Sequence, residues 1–242
     1  MIRNIVFILA CLFTLSVQAA KPLNVVLILV DDLGWMDLSC QGSRYFETPH
    51  IDRLAAEGMR FTDAYAACAV CSPTRAAVQT GRYPGRLGVT DWIRSRFQGG
   101  TIPTDKKNPS GFSGGKRKFL VPKNALWMES EEVTIAELLK PAGYVTCHIG
   151  KWHLGADDWY PQKQGYDFNY GGCDYGQPPS YFDPFNQPKH RHAMIRGGIP
   201  HLPGRKPGQY LSDREAEEAV AFIEKHKDKP FFLNMDNYAV HT

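Results

Sequence analysis

The chain has 242 residues, a formal net charge of +3, 43% hydrophobic and 22% charged residues. That balance supports one sizeable core and excludes a disordered or coiled-coil protein. The basic excess is too small to point to nucleic acid, and it leaves polyanionic substrates open.

Arg3, the apolar run over residues 5–17 and the small residues of Gln18-Ala19-Ala20 read as an export signal over residues 1–20. The run is too short for a comfortable membrane span, and no later segment is apolar enough to cross a bilayer. Residues 21–242 are therefore expected to be secreted or periplasmic, with no stable membrane association. They keep five cysteines, Cys40, Cys68, Cys71, Cys147 and Cys173. In an oxidising compartment an odd number leaves one thiol without a partner.

Residues 23–30 form a continuous apolar run, the pattern of a strand buried on both faces, and it stops at Asp31-Asp32-Leu33-Gly34. Thr48-Pro49 then opens a helix, with Thr48 as the cap, Ile51, Leu54 and Ala55 on one face, and Gly58 at its end. A second helix starts near Ser72-Pro73 and stops before Gly81. Residues 92–125, rich in Gly, Pro, Lys and Arg, read as a long surface insertion. Its Arg94, Arg96, Lys106, Lys107, Lys116, Arg117 and Lys118 are either a solvated loop or a rim that attracts an anionic polysaccharide.

Thr134-Ile135-Ala136-Glu137 is a capping box for a helix through Leu139 that Gly143 ends, and residues 144–149 follow as a strand. Residues 155–210 read as loop. Ser212-Asp213-Arg214-Glu215 reads as a second capping box, starting a helix to about Lys227, and residues 230–235 as the last strand. Strands alternating with helices predict an α/β fold with a mainly parallel sheet covered on both sides. Ligands of such sheets gather beyond the carboxyl ends of the strands. Asp31-Asp32, Lys151-Trp152-His153 and His241 all fall just after predicted strands.

The chemistry-bearing positions are few. Adjacent carboxylates at Asp31 and Asp32 are costly unless a cation compensates them, and oxygen donors suit calcium or magnesium. Cys71 at a helix start lies where backbone N–H groups favour anions, with Arg75 one turn later on the same face. Cys68-Ala69-Val70-Cys71 also spells a Cys-x-x-Cys pair, but a zinc reading lacks two further ligands. Lys151 and His153 are two apart, so an extended segment would point both to one side. His190, His192 and His201 sit in a Pro-rich loop without acidic neighbours and read as solvated.

The run Cys71-Ser72-Pro73-Thr74-Arg75-Ala76-Ala77-Val78-Gln79-Thr80-Gly81-Arg82 resembles the signature of the formylglycine-dependent sulfatases. Asp31-Asp32 before Leu33-Gly34 and Gly150-Lys151-Trp152-His153-Leu154-Gly155 resemble two further elements of that family. The resemblance implies an alkaline-phosphatase-like α/β sandwich that hydrolyses sulfate monoesters, a carbohydrate sulfate being favoured. It implies that a formylglycine-generating enzyme acts on residues 71–75 and oxidises Cys71 to an aldehyde, which leaves four cysteines. Asp31, Asp32 and the modified Cys71 would bind one calcium ion, and Arg75 would hold the formylglycine. Lys151 would contact formylglycine and sulfate, His153 would assist sulfate release, and His241 would help protonate the leaving alcohol. The family's second metal pair and second lysine have no counterpart in the sequence, so the resemblance implies an inactive N-terminal portion of a longer catalytic domain. The competing readings are a phosphoesterase or phosphonate hydrolase of the same superfamily, and a non-catalytic carbohydrate-binding product.

Overall fold

The computed structural model describes residues 22–115 and 118–241. The export signal read over residues 1–20, and Lys116 and Arg117 of the insertion, lie outside the described residues. The elements in chain order are β1 (Val25–Val30), α1 (Pro49–Glu57), α2 (Cys71–Thr80), α3 (Pro84–Leu87), β2 (Phe112–Ser113), β3 (Val121–Pro122), α4 (Ile135–Leu139), β4 (Val145–Gly150), β5 (Phe168–Tyr170), α5 (Ala193–Gly197), α6 (Leu211–His226) and β6 (Phe231–Asn237).

Four of these strands make one parallel sheet in the order β1-β6-β4-β5. The last strand in the chain thus lies between the first and the fourth. Alternation along β6 builds a core on each face. Phe231 and Leu233 pack with Cys147, Ile149, Ala219 and Phe222 beneath α6. Phe232 points the other way, into a cluster with Ala76 of α2, Ala136 of α4, Trp152 and Tyr166. Each such buried side chain contributes roughly 1.5–3 kcal/mol relative to leaving it exposed.

Three expectations are corrected. The strand at residues 25–30 is not buried on both faces: Leu27 packs against the core, but Val26 and Ile28 on the opposite face are 47% and 55% exposed, and among the described residues β1 pairs with β6 alone. α1 forms where its Pro49 and Gly58 place it, but none of its residues is buried, and the side chain of Thr48 does not cap it. Thr48 Oγ1 instead donates to Asp52 at 2.9 Å and accepts from the Ser39 N–H at 2.9 Å, closing a local turn. Ser212 and Glu215 are no capping box either. α6 begins one residue earlier, at Leu211, with Tyr210 as its uncapped N-terminal neighbour. Glu215 is then fully buried and accepts a 2.7 Å hydrogen bond from Asn237 of β6.

Two segments read as loop are more than that. Ile93 of the 92–125 insertion is buried in the main core, and β2 and β3 pair antiparallel within the insertion. The 155–210 stretch holds β5, paired to β4, and a buried aromatic cluster of Tyr160, Tyr175 and Phe185 with Ile195 and Leu202. By contrast the Thr134 box forms as expected: Thr134 Oγ1 accepts from Glu137 N at 3.2 Å and Glu137 Oε2 from Thr134 N at 2.8 Å.

Two measurements check these assignments. Thr134→Ala should lower the unfolding free energy by about 1–2 kcal/mol in urea titrations, as loss of a cap does. Ser212→Ala should stay within about 0.5 kcal/mol of the parent. Burial pushes the Glu215 carboxyl up to about 8 from its ordinary 4.5, against the opposing hydrogen bond from Asn237. Across that window the folded chain keeps a proton that the unfolded chain has released. Stability therefore falls as pH rises from 4.5 towards 8. Glu215→Gln should flatten that slope, raising the urea midpoint at about pH 8 relative to the parent more than at about pH 5.

Candidate active site

The carboxyl ends of β1, β4 and β6 deliver the predicted residues to one place. Asp31 directly follows β1 and is buried. Its N–H donates to Ala239 O at 3.1 Å and its carbonyl accepts from Val240 N at 2.8 Å. That backbone pairing sets His241 beside Asp32, with His241 Nε2 3.7 Å from Asp32 Oδ2. Lys151 directly follows β4, and its N–H donates to Asp236 O of β6 at 2.7 Å. So close an approach requires Gly150, where φ is +90° and a Cβ would lie 2.1 Å from that same carbonyl oxygen.

α2 begins at Cys71, as the sequence pattern requires, and Gly81 closes it at φ +68°. Ser72 Oγ donates to His153 O at 2.9 Å and accepts from Ile93 N at 2.9 Å, tying the helix start to both neighbouring segments. Arg75 is fully buried and reaches across the site. Its Nη2 donates to Asp31 Oδ1 at 3.0 Å, and its Nη1 to Asp236 Oδ2 at 3.1 Å and to Lys151 O at 2.7 Å. Lys151 Nζ donates to the other oxygen of Asp31. Two carboxylates and two cations therefore interlock. Arg75 lies near Cys71 on the same cavity but is engaged by Asp31 and Asp236.

The protonation states follow from this crowding. Burial works against ionising Asp31, but the charges and hydrogen bonds of Arg75 and Lys151 outweigh it and hold the carboxyl below its usual range. Burial, then Arg75, lower Lys151. Burial raises Asp236 to about 6 although Arg75 opposes the rise. His153 is buried beside Lys151 and Arg75, which takes its imidazole down to about 3. It is neutral, with Nε2 2.7 Å from Ile93 O and no protein partner at Nδ1. The contact with a carbonyl makes Nε2 the donor.

Cys71, Asp32, His153 and His241 line one cavity of about 340 Å³, together with Trp92, Gln98, Gly176 and Gln177. The 155–210 stretch thus reaches the cavity through Gly176 and Gln177. Asp236 was missed in the sequence, since a lone Asp within an apolar strand has no motif around it. Trp92 and Gln98 were missed because their segment read as a surface insertion. Of that segment's basic residues, Arg96 pairs with Asp157 and Asp174, and Lys106 with Asp158. Cys40, Cys68, Cys71, Cys147 and Cys173 are all free, with no disulfide among the described residues.

Removing Asp236 tests the interlock. Asp236→Ala leaves a buried guanidinium with half its compensation and should destabilise the protein by about 3–5 kcal/mol in urea unfolding. Asp236→Asn keeps an acceptor for Arg75 and should cost less.

Comparison with known proteins identifies the family of the chain. The sulfatase family pattern matches residues 23–242. N-acetylgalactosamine-6-sulfatase of Mus musculus is 34% identical over 248 residues, covering 99% of this chain and 44% of that protein. Arylsulfatase A of Homo sapiens is 32% identical, covering 93% of this chain and 43% of that protein. Among solved structures, Ps i-CgsB in complex with k-i-k-neocarrahexaose superposes with a TM-score of 0.65 at 31% identity, covering 92% of this chain and 46% of that chain. The chain spans less than half the length of these relatives. Its parallel sheet flanked by helices is the alkaline-phosphatase-like fold, and the chain belongs to the sulfatase family.

Proposed function

We propose that the protein to which this chain belongs hydrolyses sulfate monoesters of carbohydrates, with Cys71 oxidised to formylglycine as the nucleophile. The observation that carries the reading is the convergence of Cys71, Asp31, Asp32, Lys151, His153 and His241 at the carboxyl ends of three parallel strands. A carbohydrate ester is favoured because one relative is named for N-acetylgalactosamine-6-sulfate and a structural neighbour was solved with a neocarrahexaose.

The residues present fit a hard cation. Among the described residues, Asp31, Asp32 and His241 offer ligand atoms that all lie within 4.8 Å of one another. Two of the three are carboxylates, the donors that calcium and magnesium prefer. Asp31, Asp32 and the modified Cys71 would hold the calcium. Calcium would supply positive charge beside the sulfate oxygens, and the hydrated aldehyde the attacking hydroxyl.

The chain's own residues do the rest. Arg75 and Lys151 are fixed before substrate arrives, so their charges need no reorganisation as negative charge develops. Lys151 binds a sulfate oxygen and orients the hydroxyl at residue 71. His153 is neutral, and its Nδ1 accepts the proton that must leave for sulfate to be released. His241 borders the same cavity with the Asp32 carboxylate beside it, and it donates the proton to the departing alcohol.

Modification must precede folding. Ser72, Pro73 and Arg75 are buried within a formed helix, so a formylglycine-generating enzyme reading residues 71–75 needs the unfolded segment. That agrees with export of the chain by residues 1–20 to a secreted or periplasmic location.

The test is the intact protein co-expressed with a formylglycine-generating enzyme. The peptide containing residue 71 should lose the mass of one thiol-to-aldehyde conversion. Cys71→Ala should lower kcat/KM for 4-nitrophenyl sulfate by at least about 10³-fold, and Lys151→Ala by about 10²–10³-fold. Undiminished turnover with residue 71 an unmodified thiol, or faster turnover of 4-nitrophenyl phosphate than of the sulfate, would overturn the reading.

A further inference from the structure

The mechanism uses one side of the 340 Å³ cavity, where Asp32, Cys71, His153 and His241 lie. The rest of its lining includes Trp92, Gln98, Gly176 and Gln177, which have no part in it. Its volume falls within the roughly 300–1,000 Å³ of small-molecule sites. Both wall segments are loops, yet both are pinned.

The turn that carries Gln98 is fixed from within. Gln98 Oε1 accepts from Ser95 Oγ at 2.7 Å and from Ser95 N at 3.3 Å. With its oxygen so occupied, the carboxamide offers its NH₂ as a donor. The same turn is clamped to the other wall. Asp174 is fully buried, and it accepts from Arg96 N at 3.0 Å, Arg96 Nε at 3.3 Å and the Tyr160 hydroxyl at 3.1 Å. Arg96 also donates to Asp157 at 2.8 and 3.1 Å. Phe97 packs edge-on against Tyr175 with ring centroids 5.4 Å apart.

Two residues beyond Asp174, Gly176 lies against His153; a Cβ there would come within 2.7 Å of the imidazole. The clamp therefore sets the separation of Gln98 from Gln177 and holds both in register with His153. Trp92 adds an apolar face, and the Arg94 guanidinium lies 5.5 Å from the centre of its ring, steadying the indole.

We propose that Trp92, Gln98 and Gln177 form the subsite for the sugar ring that bears the scissile sulfate, with Arg96 and Asp174 as positioning residues. An aromatic face with flanking carboxamides matches a pyranose, which has apolar C–H faces and a rim of hydroxyls. The occupant is accordingly a ring whose hydroxyls face the Gln98 and Gln177 carboxamides. This subsite rests on the sulfatase reading above.

The experiment uses the intact, formylglycine-containing protein with two probes, a monosulfated N-acetylhexosamine and 4-nitrophenyl sulfate. Trp92→Ala and Gln98→Ala, both at exposed positions, should lower the sugar-to-aryl ratio of kcat/KM about tenfold, chiefly through KM for the sugar. Asp174→Asn should produce the same split between KM and kcat, which a general loss of folded protein would not. An unchanged ratio in Trp92→Ala and Gln98→Ala overturns the subsite while leaving the sulfatase reading intact. If the parent hydrolyses neither sugar nor aryl sulfate, the sulfatase reading fails and the subsite falls with it.

Discussion

The site depends on one buried guanidinium. Arg75 rises from the second turn of α2 and bridges Asp31 at the end of β1 and Asp236 in β6, while its third contact is the carbonyl of Lys151 after β4. Three strand ends and one helix start are thereby held at a single point. A buried cation is tolerated only when it is paired and hydrogen-bonded, and each of these partners can reach it only if the parallel strands keep their register. The catalytic geometry and the strand order β1-β6-β4 thus impose the same constraint.

The charge pattern has a consequence for Asp31. Lys151 and Arg75 both donate to it, one to each oxygen, and together they keep it ionised despite burial. Asp236 gives Arg75 a second carboxylate, so Arg75 stays compensated if Asp31 turns towards a metal ion. The same two cations disfavour protonating His153, which leaves a neutral base beside a cationic centre. Perturbed groups arise here from burial and the crowding of opposite charges, an arrangement that clusters at functional positions.

Much of this was legible from residues 23–35, 71–82 and 150–155, where motif and secondary structure coincide. A strand followed abruptly by Asp31-Asp32, and a helix opening at Cys71, placed the chemistry at strand ends without reference to tertiary structure. What failed was context. The apolar run over residues 25–30 carries the composition of a central strand but lies at a sheet edge, because strand order is decided by β6, some 200 residues later in the chain. Ser212 and Glu215 have capping-box spacing, but tertiary packing takes Glu215 for Asn237 and starts the helix at Leu211. Residues 92–98 lack periodicity, so neither Ile93 in the core nor Gln98 on the cavity wall could be distinguished from solvated loop.

Backbone strain joins the two halves of the site. Asp32 and His153 both adopt φ of +58°, a left-handed conformation uncommon outside glycine. Each falls shortly after a parallel strand, where the chain must turn sharply away from the sheet and still present a side chain to the cavity. Such conformations cost of order 1–3 kcal/mol each and persist only when the surroundings over-determine them. At His153 the surroundings are visible: its N–H donates to Cys173 O at 2.9 Å, its carbonyl accepts from Ser72, and its ring is packed against Gly176. The segment that pins His153 also carries Asp174, so the loop that sets the imidazole also fixes the turn that bears Gln98. Placement of the proposed proton acceptor and shaping of the proposed sugar subsite therefore draw on one piece of packing, with Cys173 and Gly176 against His153 and Asp174 against Arg96.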